Sequence, residues 1–115
     1  MIGNGPEKEN VMHFSKNLFG NDKIIFKEEV QKKELRKELL SSHVLIIPLI
    51  ESDIFELTIP SKVFDYMTFQ IPIVSTISGE GRQILSESKS NINTKLTVDD
   101  LAESFSNMYM NYGKY

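Results

Sequence analysis

Two short segments dominated by apolar residues constrain the fold of this chain more than any other feature. They are His43-Val44-Leu45-Ile46-Ile47-Pro48 and Ile71-Pro72-Ile73-Val74-Ser75-Thr76. Because successive side chains of a strand point to opposite faces, a continuous apolar run is typical of a parallel strand covered by helices on both sides. Stretches with helical spacing separate these runs. The sequence therefore predicts an α/β fold, with an open parallel sheet of about four to five strands flanked by helices.

The other elements are predicted from hydrophobic spacing and from residues that begin or end helices. Pro6 suits a first helical position and Gly20 follows the last apolar position, which places a helix between them. Ser78 and Thr97 are predicted to cap helices with their hydroxyl groups. We predict further strands at Lys23–Lys27 and Asn91–Thr94, and helices at Pro6–Phe19, Gln31–Ser42, Pro60–Met67, Gly79–Glu87 and after Thr97.

Composition limits the classes of protein to which the chain can belong. Its 115 residues suffice for one domain, and a net charge of −3 without a basic stripe argues against nucleic acid as a partner. No apolar run approaches the roughly 20 residues of a membrane span and no signal peptide is apparent, so we expect a cytoplasmic protein. Cysteine is absent, and His13 and His43 lack metal-site spacing, so neither a metal nor another cofactor is predicted.

The N-terminus departs from the regular alternation of strand and helix. The segment Ile2-Gly3-Asn4-Gly5-Pro6 has the composition of a strand-to-helix turn, but only two residues of a preceding strand are present, whereas strands average about five or six. We therefore expect an incomplete or absent first strand in a chain that begins inside a domain. An exposed sheet edge favours pairing with another chain, so self-association is also expected.

Three loops that precede helices carry candidate binding residues, because ligands of open parallel sheets bind beyond the carboxyl ends of the strands. In the first loop, Gly3 and Gly5 allow a tight turn and a close approach of the backbone to a ligand. The turn Ser78-Gly79-Glu80-Gly81 has the same character. Each of these two turns is equally consistent with a plain structural role.

The third loop, before Pro60, carries the most specific set of groups. Thr58 and Ser61 supply hydroxyls and Lys62 supplies a cation at a helix start, where the backbone amides already favour an anion such as a diphosphate. Asp65 lies one helical turn further on, where its carboxylate can accept hydrogen bonds from the vicinal hydroxyls of a ribose. Without further context, Thr58 and Ser61 are more often simple helix caps, and Asp65 is more often an acid that complements the dipole in the first turn.

The order of these segments resembles the C-terminal, donor-binding domain of the group 1 glycosyltransferases, which is the Rossmann-like lobe of the GT-B fold. IGNGPEKEN is similar to the family's first glycine turn, and IPSKVFDYMTFQIPIVST is similar to its proline-serine-lysine segment with a following acidic residue. SGEGRQIL resembles the next turn. The resemblance covers Ile2 to about Tyr112 and implies a single nucleotide-sugar-binding domain over residues 1–115, lacking its first strand and the acceptor-binding lobe.

The resemblance also implies a function and a set of site residues. The chain would be the donor-binding part of a retaining enzyme, of the kind used in polysaccharide biosynthesis, that transfers a sugar from a nucleoside-diphosphate sugar to an acceptor hydroxyl. It would be inactive until an acceptor-binding lobe is supplied, for instance by a separate chain. The main chain from Lys27 to Val30 would border the base. The implied donor-binding residues are Gly3, Asn4, Gly5, Thr58, Pro60, Ser61, Lys62 and Asp65, and the implied catalytic acidic residue is Glu56.

The chain departs from the family pattern at four points. Asp65 stands where the family usually has glutamate, so its carboxylate is set back by one methylene. The expected partner acid falls on Leu57, and Glu56 lies one position out of register. Gln70 replaces a helix-ending glycine, which costs stability where the backbone must be left-handed. The family's basic pair, which neutralises the departing diphosphate, lies upstream of the first glycine turn and has no counterpart in this chain.

Two other functions remain open. A non-catalytic nucleotide-binding or interaction module derived from the same fold would have the same composition, and a neighbouring reading frame encoding the missing lobe would favour the enzyme over it. An unrelated doubly wound signalling domain also alternates strands and helices, but it leaves Pro60-Ser61-Lys62 unexplained.

Overall fold

The computed structural model describes residues 1–21, 23–50 and 58–115, and its fold class is α/β as predicted. Contacts divide these residues into two compact units, Met1–Glu38 and Leu39–Tyr115. In chain order the elements are α1 (Lys8–Phe19), α2 (Lys32–Leu40), β1 (Leu45–Ile47), α3 (Ser61–Met67), β2 (Ile73–Ser75), α4 (Gly79–Glu87), β3 (Asn91–Asn93), α5 (Val98–Met110) and a 3-10 turn (Tyr112–Lys114). None of the described helices is both long and apolar enough to cross a membrane.

The three strands form one parallel sheet in the order β1-β2-β3. Ile73 of the central strand pairs with Leu45 on one side and with Asn91 on the other. Every residue of β2 is buried, whereas Ile46 of β1 is 40% exposed. The prediction of burial on both faces is therefore confirmed for β2, but it is wrong for the middle of β1, which is an outer strand of this sheet.

Among the described residues the sheet has three strands rather than the predicted four to five. In place of the strand predicted at Lys23–Lys27 there is an isolated parallel bridge between Ile2 and Lys27. Its backbone hydrogen bonds run from Lys27 N to Met1 O at 2.8 Å and from Gly3 N to Lys27 O at 3.2 Å. The β-branched residues before Lys27 do not form a strand because a ladder needs several paired residues, and pairing here is limited to this one bridge.

A hydrophobic core packs α3 and α4 of Leu39–Tyr115 against the sheet. Val63 of α3 and Leu85 of α4 are both fully buried, at 0% exposure. The buried members of this core are Leu45, Ile47, Val63, Ile73, Ile77 and Leu85. Burying one such side chain stabilises the fold by about 1.5–3 kcal/mol. The core therefore fixes the positions at which α3 and α4 begin.

Ion pairs, rather than a core of buried apolar side chains, are the main contacts described within Met1–Glu38. Ser15 is its one buried residue among those described, whereas Phe14 and Leu18 of the predicted apolar stripe are 64% and 58% exposed. Ion pairs join Lys8 to Glu28 at 2.6 Å and Lys27 to Glu38 at 2.5 Å. The apolar stripe of α1 is thus present in the sequence but largely uncovered in the structure.

Helix ends test the predicted caps. Thr97 caps α5 because its hydroxyl accepts a hydrogen bond from Asp100 N at 3.2 Å, and it also donates one to Asp100 Oδ2 at 2.5 Å, so the predicted cap is confirmed. The prediction for Ser78 is wrong, since it occupies the N-cap position of α4 without a capping hydrogen bond from its side chain. Gly79, the next residue, has a left-handed φ of +63°, which changes the direction of the first amides of α4.

Candidate functional site

The candidate site in Leu39–Tyr115 lies where α3 and α4 begin. These helices connect β1 to β2 and β2 to β3. In a parallel sheet both helices therefore begin near the carboxyl-terminal ends of the strands. The two helix starts are in contact, since a Cβ atom added to Gly81 would lie 3.2 Å from Ile77 Cδ1 and 3.6 Å from Pro60 Cδ. The structure therefore brings the Thr58–Asp65 segment and the Ser78–Gly81 turn together.

The first turn of α3 presents three of the predicted phosphate-binding residues. Pro60 is the N-cap residue, with φ −59° and ψ 131°, and its carbonyl accepts a hydrogen bond from Val63 N at 2.9 Å. Ser61 and Lys62 are the first two helical residues, and both are exposed, as is Thr58 before them. Within the described part of the chain, the Lys62 ammonium has no hydrogen-bond or ion-pair partner. An unpaired cation thus stands beside helix-start amides that have no intrahelical acceptor.

Asp65 lies one turn further along α3 and is also exposed. The Thr68 hydroxyl donates a hydrogen bond to the backbone carbonyl of Asp65, at 2.7 Å, and not to its carboxylate. The neighbouring Tyr66 packs against the core. Burial raises the pKa of the Tyr66 phenol, and the negative charge of Asp65 raises it further. Tyr66 therefore remains a neutral anchor while Asp65 stays accessible to a ligand.

Two buried hydroxyls lie at the carboxyl-terminal end of β2, close to where the helices begin, although sequence reasoning did not single them out. The Ser75 hydroxyl donates to Asn93 Oδ1 at 2.6 Å. The Thr76 hydroxyl donates to Leu49 O at 2.8 Å and accepts from Leu49 N at 2.9 Å, and so ties the end of β2 to the residues that follow β1. The sequence signal that could have identified these hydroxyls is a pair of polar residues at the end of an apolar run.

The predicted glycine turn lies in Met1–Glu38 and has the backbone conformation that glycine permits. Gly3 has a φ of +135°, and the carbonyl of Gly5 accepts a hydrogen bond from Lys8 N at 3.0 Å. A Cβ atom added to either glycine would meet no atom of the described residues within 4 Å. Gly3 is therefore required by backbone geometry, and the space beside both glycines is open. A cavity of about 250 Å³ adjoins the turn and is lined in part by Gly3, Gly5, Lys8 and Phe26.

A three-residue cluster at this turn was missed by sequence reasoning. The Lys8 ammonium donates hydrogen bonds to Asn4 Oδ1 at 2.9 Å and to Glu28 Oε1 at 2.6 Å. The hydrogen bond from Lys8 and its positive charge hold the pKa of the Glu28 carboxyl below its usual range. Because Lys8 and Glu28 are twenty positions apart, no local pattern links them. Glu28 does lie in the Lys27–Val30 segment that was predicted to border a base.

The predicted catalytic residue Glu56 lies outside the described residues, as does Leu57. The other predicted site residues fall into two sets. Asn4 and its two neighbouring glycines belong to Met1–Glu38, and the residues from Thr58 to Asp65 belong to Leu39–Tyr115.

Comparison with known families agrees with the α/β fold class. The sequence profile of the family described as Glycosyl transferases group 1 matches residues 1–111. The chain belongs to this family, and membership supports a role in glycosyl transfer. No curated protein and no solved structure matches the chain significantly.

Proposed function

We propose that the chain binds a nucleoside-diphosphate sugar and forms the donor side of a retaining glycosyltransferase. The observation that carries the proposal is the first turn of α3, where the exposed Lys62 ammonium has no partner among the described residues. A diphosphate matches a free cation beside unpaired amides. Family membership supports the transfer of a sugar as the reaction.

Each site residue has a proposed role. Lys62 and the hydroxyls of Thr58 and Ser61 lie along the phosphates, and Pro60 sets the start of the helix that presents them. Asp65 accepts hydrogen bonds from the ribose. Gly3, Asn4 and Gly5 are proposed as diphosphate-binding residues of Met1–Glu38, and Glu56 is proposed to take the role of the family's partner acid.

The proposed chemistry needs charge stabilisation more than acid or base groups. In a retaining transfer, the bond between the anomeric carbon and the diphosphate oxygen breaks, the acceptor hydroxyl oxygen forms a bond to the same face of the sugar, and its proton passes to the departing diphosphate. Negative charge then grows on the departing nucleoside diphosphate. Prearranged amides and Lys62 would stabilise that charge, which is often the largest contribution to catalysis.

We also propose that transfer requires an acceptor-binding lobe in addition to these 115 residues. Alignment of acceptor and donor can supply about 7–11 kcal/mol of the barrier, and the residues proposed above serve the donor. The purified chain should therefore hydrolyse the donor slowly at most. Detection of acceptor-dependent glycoside formation by the purified chain would refute this part of the proposal.

Calorimetric titration with UDP, GDP and ADP tests the donor site. Lys62→Ala should weaken binding of the preferred nucleotide about tenfold, because a charge-assisted hydrogen bond is lost. Lys33→Ala removes an exposed lysine of α2 and should leave the affinity unchanged. Equal affinity of Lys62→Ala and the unmodified chain would place the phosphates elsewhere.

Asp65 can be tested separately by comparing a nucleoside diphosphate with inorganic pyrophosphate, which has no ribose. Asp65→Ala should weaken binding of the nucleotide but not of pyrophosphate, whereas Lys62→Ala should weaken both. Asp65→Glu extends the carboxylate by one methylene and should tighten nucleotide binding. A loss of pyrophosphate affinity in Asp65→Ala would contradict the ribose role.

A further inference from the structure

Lys8 joins the glycine turn to the segment that follows Lys27. Its ammonium donates to Asn4 Oδ1 at 2.9 Å and to Glu28 Oε1 at 2.6 Å. The Lys8 side chain is 17% exposed, whereas that of Glu28 is 77% exposed. Most of the Lys8 side chain is therefore covered while the Glu28 carboxylate is exposed, and one cation holds residues from both segments.

The glycine turn has few other restraints. Within the described residues its backbone is held by the hydrogen bonds Gly3 N to Lys27 O at 3.2 Å and Lys8 N to Gly5 O at 3.0 Å. No atom lies within 4 Å of a Cβ placed on either glycine, so packing does not confine them. Because glycine backbones are conformationally free, the position of Asn4 between them depends on its side-chain bond to Lys8.

We propose that Lys8 and Glu28 are positioning residues of the donor site, which hold Asn4 and thereby fix the glycine turn in its ligand-binding conformation. The inference rests on the proposed function, in which this turn borders the diphosphate. Lys8 supports the turn and is not itself a phosphate ligand, because Glu28 already neutralises its charge at 2.6 Å. Exposed ion pairs contribute little to folding stability, so the effect of the cluster should appear in binding.

A double-mutant cycle on UDP binding tests the proposal. Lys8→Met and Glu28→Gln should each weaken the calorimetric affinity for UDP by about three- to tenfold, because the first removes both hydrogen bonds of the Lys8 ammonium and the second removes the charge that pairs with it. The double variant should bind UDP no more weakly than the single variant with the lower affinity, since the two residues act through one contact. Lys8→Arg should restore most of the affinity, and Lys33→Met is the matched control. Additive losses, or tighter binding in Glu28→Gln, would overturn the proposal, and the second result would make Lys8 a direct phosphate ligand.

Amide NMR spectra of the nucleotide-free chain separate this inference from the proposed function. The signals of Gly3, Asn4 and Gly5 should shift or broaden in Lys8→Met and in Glu28→Gln, but not in Lys33→Met. Unchanged signals in both cluster variants would overturn the positioning role. Absence of UDP, GDP and ADP binding to the unmodified chain would refute the proposed function, while the spectra would still decide whether the cluster fixes the turn.

Discussion

The two compact units are stabilised by different forces. In Leu39–Tyr115 a core of buried apolar side chains packs helices against the parallel sheet. In Met1–Glu38 the buried described residue is Ser15, and Phe14 and Leu18 of α1 face solvent. Helices α1 and α5 both carry apolar residues at helical spacing, and Met108 of α5 is buried, at 1% exposure. The difference shows that a hydrophobic stripe predicts a helix but does not predict that the stripe is covered.

The same difference applies to the two sets of proposed donor-binding residues, one in each unit. The segment from Thr58 to Asp65 includes the start of α3, and the core holds this helix in place through the buried Val63. The glycine turn depends instead on backbone hydrogen bonds and on the Lys8–Glu28 ion pair. We therefore expect the Thr58–Asp65 set to respond to changes in packing and the glycine turn to respond to changes in charge.

The largest expected effect is the loss of a core side chain. Leu85→Ala should lower the free energy of unfolding by about 2–5 kcal/mol, because Leu85 is fully buried and its truncation leaves a cavity. The matched variant Leu18→Ala changes an exposed leucine of α1 and should alter it by no more than about 0.5 kcal/mol. Urea denaturation measures both values. A large loss in Leu18→Ala would show that the stripe of α1 is covered in solution and would remove the contrast between the units.

Helix caps provide a smaller effect. Thr97→Ala should destabilise the chain by about 0.5–2 kcal/mol, because its hydroxyl satisfies the amide of Asp100 at the start of α5. Ser78→Ala should have little effect, since the Ser78 side chain makes no capping hydrogen bond to α4. Both positions carried the same cap prediction. Equal losses in the same urea experiment would mean that Ser78 does cap α4.

Local sequence signals account for much of the fold. The bounds Gly79–Glu87 of α4 and the helix cap at Thr97 were predicted because helix starts depend on a few adjacent residues. The central strand was recognisable because both of its faces are buried. In the candidate site, the exposed helix start at Lys62 followed from Pro60, which favours the first positions of a helix.

The remaining features depend on contacts between distant residues. The strand expected before Lys27 failed because pairing is limited to the bridge with Ile2, which strand propensity does not reveal. The pairing of Lys8 with Glu28 and the contact of Gly81 with Pro60 likewise require the chain to be folded. Hydrophobic spacing and motif order carry no information about such distances.

Replacing a residue that has a left-handed backbone conformation after a helix by glycine should stabilise the fold, which is the opposite of the two effects above. Gln70 follows α3 with a φ of +56°, so Gln70→Gly should stabilise Leu39–Tyr115 by about 1 kcal/mol as the cost of a side chain in this conformation is removed. Gln83→Gly, in the interior of α4, should instead cost about 0.5–1 kcal/mol. Thermal denaturation distinguishes the two signs. A destabilised Gln70→Gly would show that contacts of the glutamine side chain outweigh its backbone strain.

The smallest expected effect is a pH dependence within Met1–Glu38. A hydrogen bond and positive charge from Lys8 lower the pKa of the Glu28 carboxyl in the folded chain. The unfolded state then binds more protons than the folded state near the ordinary glutamate pKa. The contribution of Glu28 to stability is therefore fully present above that pKa, and it is lost as the pH falls from there through the lower pKa of the folded state. No comparable ion pair is seen in the described residues of Leu39–Tyr115.

A carbon-detected NMR titration of the Glu28 carboxyl measures this effect directly. In Lys8→Met the midpoint should rise towards the ordinary glutamate value, and in Lys33→Met it should stay where it is in the unmodified chain. The amide of Gly3 should follow the Glu28 midpoint in the unmodified chain, because protonation of Glu28 releases Lys8 and with it Asn4. Added salt should reduce the shift, since an exposed carboxylate is screened. A Glu28 midpoint that is the same with and without Lys8 would contradict the ion pair and leave the glycine turn to its backbone hydrogen bonds alone.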